Sequence, residues 1–185
     1  TVPTEEEQVE VYSKLLKSMN GKNTTIRTFD LRPDKVASFS DVGGVASRAY
    51  DWRRVLESAP LQKLFMEQLR AIMRAGVDGS PKILIPLVAS TEVMDLVLKM
   101  YQDARESLVQ EKIDFNQNIP LGLMIETAAA IPMIPFWSES VDFLALGTND
   151  LFASVVGIDR NEENQNVLND HLHPGFLRLV QSAIY

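Results

Sequence analysis

The sequence predicts an α/β protein built on parallel strands. Three observations carry this. Strand-like and helix-like segments alternate along the chain. The strand-like segments are close to continuous apolar runs, as in parallel strands covered on both faces. The helix-like segments carry apolar stripes at helical spacing, with recognisable starts and stops. This alternation fits either a (β/α) barrel or a doubly wound sheet. Four strand-like runs are too few for a closed eight-stranded barrel, so the expectation is part of a larger α/β protein.

The elements follow in order. Residues 4–19 read as a helix: Thr4 and Glu7 have capping-box spacing, and Val9, Tyr12, Leu15, Leu16 and Met19 share a face before Gly21. Residues 24–29 (TTIRTF) form a short β-branched strand. Residues 30–45, with Pro33, Gly43 and Gly44, read as a loop. Residues 60–75 form a helix with Leu61, Leu64, Phe65, Leu69, Ile72 and Met73 inward, ended by Gly76. Residues 82–88 (KILIPLV) are a buried strand with Pro86 near its end. Ser90 caps a helix over 91–111, with Met94, Val97, Leu98, Tyr101 and Leu108 inward. Residues 121–125 (LGLMI) are a third strand, ending on Glu126. A helix over 127–137 is distorted by Pro132 and Pro135. Residues 141–146 are a fourth strand, 149–156 a short helix, and 174–184 a last helix opened by Pro174.

Composition bounds the function. The 185 residues are 45% hydrophobic and 23% charged, enough apolar material for a buried core. There is no cysteine, so neither disulfides nor thiol chemistry arise within them. Two histidines argue against a histidine-rich metal site; His171 and His173 read as supports for the turn before Pro174. No apolar run approaches the ~20 residues of a membrane span. The start is acidic and polar, unlike a signal peptide, so a cytoplasmic location is expected. A net charge of −7 argues against nucleic-acid binding through a broad basic face. An anionic ligand would need its own local arginines.

Parallel α/β folds place their sites at the C-terminal ends of strands. Those ends carry Arg27 and Asp30, then Glu126, then Thr148, Asn149 and Asp150. Glu126 and Asp150 each follow an apolar run, and burying an unpartnered carboxylate is costly. A hard divalent cation uses such a pair, with substrate oxygens and water completing its shell. The plainer alternative is that Glu126 caps the next helix and Asp150 makes a turn. Arg27 sits in an otherwise apolar strand, where an uncompensated cation is unfavourable. Arg53 and Arg160 are further candidates for anion recognition, or else surface ion pairs.

Seven segments, in order, resemble a known family. They are PTEEEQ (3–8), TIRTFD (25–30), WR (52–53) followed by EQLRAIMRA (67–75), LMIETAAA (123–130), LGTNDLF (146–152), GIDR (157–160) and HPGFLRLV (173–180). Together they resemble the C-terminal, phosphoenolpyruvate-binding barrel of enzyme I of the bacterial phosphotransferase system. Pyruvate phosphate dikinase and phosphoenolpyruvate synthase are more distant relatives.

The resemblance implies a partial (β/α) barrel of the phosphoenolpyruvate/pyruvate type, about strands three to six of eight. It implies Mg²⁺ (or Mn²⁺) on Glu126 and Asp150, and the substrate phosphate on Asn149. Arg27, Arg53 and Arg160 would hold the phosphate and carboxylate of phosphoenolpyruvate. In the family, phosphate passes to a histidine on a separate domain and then to a histidine phosphocarrier protein. The family barrel is a dimer, and a cysteine on its seventh strand protonates enolpyruvate. That cysteine, the flanking strands and the histidine domain have no counterpart in these residues, so the intact parent is expected to be the phosphotransferase and this segment alone inactive.

Some positions depart from the family pattern. Asp30 to Asp34 reads DLRPD where the family has DIGGD, and Ala-Tyr-Asp precedes Trp52. Ala128 stands for the proline of ETPAA, and Phe152-Ala-Ser154 stands for TQY. Two other classes remain in view: a noncatalytic remnant that senses phosphoenolpyruvate or pyruvate, and a lyase-like barrel binding pyruvate enolate with Mg²⁺.

Overall fold

Four parallel strands pair strictly in chain order: β1 (Asn23–Arg27), β2 (Ser80–Ile85), β3 (Leu121–Ile125) and β4 (Phe143–Leu146). The computed structural model describes residues 3–30, 52, 58–157 and 172–184. The helices are α1 (Glu5–Ser18), α2 (Ala59–Ala75), α3 (Thr91–Gln110), α4 (Ile134–Trp137), α5 (Thr148–Val156) and α6 (Pro174–Ile184). A 3₁₀ helix, Ala128–Met133, precedes α4. Sequential parallel order with a helix in each connection is the arrangement of a (β/α) half-barrel, which the family resemblance implies and which decides between the barrel and the doubly wound sheet. The loop expected over 30–45 lies outside the described residues after Asp30.

The register sorts side chains onto two faces. Ile26 pairs with Ile83 and Ile83 with Leu121, and these residues join the core beneath the helices. Ile85, Leu123 and Ile125 share that face and are fully buried. Arg27, Leu84, Gly122 and Phe143 form one row on the opposite face. There the Phe143 ring lies across Gly122, where an added Cβ would come within 2.5 Å of it. Lys82 sits 5.5 Å from the centre of the same ring.

α2 is the central packing helix. Its six predicted inward residues are all buried, and Trp52 meets Phe65 edge-to-face at 5.6 Å. The arginines of the QLRAIMRA segment clamp the neighbouring helices. Arg70 pairs with Glu5 of α1 and with Glu111 just beyond α3, both at 2.7 Å, and Arg74 reaches Glu5 at 2.6 Å and Glu6 at 2.7 Å. The Thr4/Glu7 capping box and the Ser90 cap both form.

The structure corrects several expected boundaries. In α1 the buried positions are Gln8 and Leu16, while Leu15 is exposed. β2 ends at Ile85 rather than 88. Pro86 has no N–H for the ladder, and Leu87 turns away with a left-handed φ of 58°. The segment 127–137 is a 3₁₀ run followed by one α turn, because Pro132 lies inside the first piece and Pro135 opens the second. β4 starts at Phe143, not 141. The side chain of Asp142 occupies the edge instead, its Oδ2 accepting the Leu121 N–H at 2.8 Å. α5 begins at Thr148, one residue early, so Asn149 and Asp150 stand in its first turn.

Candidate functional site

Glu126 follows β3 directly and is only 2% exposed. It does not cap the next helix, whose N-cap residue is Thr127. Its Oε1 instead accepts the backbone N–H of Leu87 at 2.7 Å. Leu87 is buried and holds a left-handed conformation that a branched side chain rarely adopts. Strain of this kind persists where the surroundings over-determine it. Here the buried leucine side chain and the hydrogen bond to a carboxylate do so.

On the other side stands Gly147, whose N–H extends the ladder to Ile125 O at 2.9 Å. A Cβ on Gly147 would lie 2.8 Å from Glu126 Cβ, 3.0 Å from its Oε2 and 3.1 Å from Met124 Sδ. Glycine is needed here for space, since its φ of −88° is open to any residue. The Glu126 side chain is therefore held between the end of β2 and the end of β4.

Asp150, half-buried in the first turn of α5, brings its carboxyl into hydrogen-bond contact with Glu126. Burial raises the Glu126 carboxyl to about 7. The Leu87 N–H opposes this, Asp150 adds to it by charge and hydrogen bond, and the positive charge of Arg27 opposes it more weakly.

Arg27 ends β1 on the same face as Met124 and is exposed rather than buried. Its cation is thus solvated, which removes the burial cost expected from the sequence. Its Nη1 lies 4.0 Å from Met124 Sδ. Asn149 and Thr148 are exposed at the start of α5. Asp30 is half-buried just beyond β1. Arg53, Arg160 and His171 lie outside the described residues. His173 supports the last helix through its backbone, accepting the Leu177 N–H at 3.0 Å.

Glu126, Asp150 and Arg27 are therefore brought to one end of the sheet. Among the described residues no group of three or more His, Cys, Asp or Glu side chains is placed to hold a metal ion. The adjacent Glu126 and Asp150 carboxyls form a donor set that a hard divalent cation fits, with its remaining positions left to ligand oxygens and water.

Four residues with no site role assigned from the sequence shape it: Leu87, Gly147, Met124 and Gln68. Gln68 is buried, and its Oε1 accepts the Phe29 N–H at 2.8 Å while its Nε2 donates to Tyr12 Oη at 3.0 Å. It holds the chain as it leaves β1. Gln68 sits on the inward stripe of α2, and a polar residue on such a stripe was the available signal. Two departures from the family pattern also meet. Ala128, where the family has proline, donates its N–H to Ser154 Oγ at 3.0 Å.

The parallel four-stranded half-barrel, with a carboxyl pair and an arginine at its strand ends, places the chain in the class of (β/α)-barrel domains. The chain belongs to the family of PEP-utilising enzymes: its residues 1–185 match the model described as "PEP-utilising enzyme, PEP-binding domain". It is 33% identical over 183 residues to a phosphoenolpyruvate-protein phosphotransferase of Staphylococcus epidermidis, covering 99% of this chain and 32% of that protein. It is 34% identical over 184 residues to a protein of the same name from Lactococcus lactis subsp. cremoris, covering 98% of this chain and 32% of that protein. The chain thus spans about a third of the length of these relatives. No helix among the described residues is long and apolar enough to cross a membrane.

Proposed function

We propose that these residues are the phosphoenolpyruvate- and Mg²⁺-binding part of a phosphoenolpyruvate–protein phosphotransferase. The observation that carries this reading is the buried Glu126 carboxyl, held by the Leu87 N–H beside Asp150 at the strand ends, with Arg27 nearby. Family membership and the names of the relatives support it.

Glu126 and Asp150 hold the metal, with Mn²⁺ as a substitute for Mg²⁺. When bound, the ion supplies Lewis-acid neutralisation of charge on the transferring phosphoryl oxygens. Arg27, with Arg53 and Arg160, binds the phosphate and carboxylate of phosphoenolpyruvate, and the Asn149 amide donates to a phosphate oxygen. In transfer, the phosphate–enol oxygen bond breaks and a phosphorus–nitrogen bond forms on a histidine of a separate domain. That domain then passes the phosphate to a histidine phosphocarrier protein. The enolpyruvate left behind gains a proton at carbon to become pyruvate. No cysteine is present to donate it, so these residues alone give no turnover. A positioned proton donor is typically worth ~10²–10⁴ in rate. The working assembly is a cytoplasmic homodimer, with neither nucleic acid nor membrane as a partner.

Calorimetric titration of the full-length polypeptide tests this. Mg²⁺ or Mn²⁺ should bind weakly alone and more tightly with oxalate or phosphoenolpyruvate present, because two protein carboxylates leave most of the coordination shell open. Glu126→Gln combined with Asp150→Asn should abolish the enhancement. Unchanged metal affinity in that double variant rejects the assignment.

A further inference from the structure

We propose that Met124 is a positioning residue whose thioether keeps the Arg27 guanidinium from closing onto the Glu126 carboxylate. This rests on the reading that the strand ends take an oxyanion together with a divalent cation. Arg27 would then stay available to the anion, and Glu126 to the cation.

Met124 and Glu126 are two residues apart on one strand direction and so project to the same face. Met124 Sδ lies 4.0 Å from Arg27 Nη1. It is also 3.1 Å from the point where a Gly147 side chain would begin, and Glu126 Oε2 is 3.0 Å from that same point. Sulfur and carboxylate oxygen therefore flank one gap that Gly147 leaves open. The positive charge of Arg27 is felt at Glu126. Even so, no ion pair among the described residues joins the two side chains.

An arginine free to reach a carboxylate often pairs with it through two hydrogen bonds. A thioether is a weak acceptor and a flexible, polarisable filler. It can occupy the side of the guanidinium that faces Glu126 without competing for the cation as an oxyanion would. The bulk of the side chain does the separating, so leucine should substitute for it and alanine should not.

The test uses the full-length polypeptide, with Mn²⁺ affinity read by electron paramagnetic resonance. In Met124→Ala, Arg27 should reach Glu126 and weaken Mn²⁺ binding by roughly fivefold, the scale of a solvent-accessible ion pair. Adding Arg27→Gln should restore it, and Met124→Leu should stay close to the unaltered protein. A purely structural loss would not be relieved by removing the arginine. An unchanged affinity in Met124→Ala, or no recovery on adding Arg27→Gln, overturns the proposal. A crystal structure of Met124→Ala reads the same point without metal: Arg27 within 4 Å of the Glu126 carboxylate is expected, and an unmoved guanidinium overturns it. Failure of the unaltered polypeptide to bind Mn²⁺ would remove the metal reading, and this structure would then decide the spacer by itself. Met124→Val serves the same purpose should the alanine variant not fold.

Discussion

Ala128 donates its backbone N–H to Ser154 Oγ at 3.0 Å, tying the start of the 3₁₀ segment after β3 to α5. Both positions depart from the family pattern, in which proline and tyrosine stand there. A proline has no N–H to give, so the hydrogen bond requires one departure and is completed by the other. Thr127, at φ −126° and ψ 149°, already has the extended conformation that precedes a proline. Ala128→Pro should therefore cost little beyond the hydrogen bond, about 0.5–1.5 kcal/mol. In a Ser154→Ala background the same change should cost clearly less. Urea unfolding of the four proteins of this cycle measures the difference, and strictly additive costs would show that the two departures are independent.

Gly147→Ala should disturb the site more than its size suggests. The new methyl would sit 2.8 Å from Glu126 Cβ, and one of the two must move. Overpacking of this kind costs about 1–3 kcal/mol. Because the displaced group is Glu126, the loss of Mn²⁺ affinity should exceed that in an alanine variant of Gly157, where the cost is backbone strain at a left-handed φ of 71° and not a clash with Glu126. Equal affinities in the two variants would mean that Glu126 is not held by Gly147.

The raised Glu126 carboxyl gives the metal-free protein a defined pH dependence. Its folded value of about 7 lies above the ordinary 4.5. Between those values the folded state binds more protons than the unfolded state, so stability falls as pH rises from about 4.5 to about 7. The contribution is complete below that window and lost above it. Glu126→Gln should flatten the melting temperature across the window, and Mn²⁺ affinity of the unaltered protein should rise with pH through it. A melting temperature for the glutamine variant that falls as steeply as the parent's would assign the dependence to another group.

Gln68→Leu removes both partners of a buried relay. The Phe29 N–H loses its acceptor and Tyr12 Oη its donor. A buried unsatisfied group costs about 1–3 kcal/mol. Hydrogen exchange should locate the loosening at the end of β1, beside Arg27, with slower protection loss elsewhere. Uniform loss of protection would instead make Gln68 a general core residue.

Much of this protein was legible in the sequence by itself. Helix starts at Thr4 and Ser90, the buried stripe of α2 and four strand runs in alternation follow from local hydrogen bonding and hydrophobic period, which neighbouring residues settle. The strand-end rule likewise singled out Arg27, Glu126 and Asp150. Tertiary structure decided the rest. Whether Arg27 is buried depends on its place at the end of β1, an edge strand of the sheet, although Leu84 beside it in the same row is buried. The partner of Glu126 is the amide of residue 87, in the turn after β2 and freed from the ladder by the break at Pro86. The need for glycine at 147 arises from the Glu126 side chain just beyond β3, and the role of Gln68 from a backbone amide beyond β1. A sequence records which groups are present and their local periodicity. Their spacing across strands is fixed only when the sheet register and the packing of the helices bring distant segments into contact.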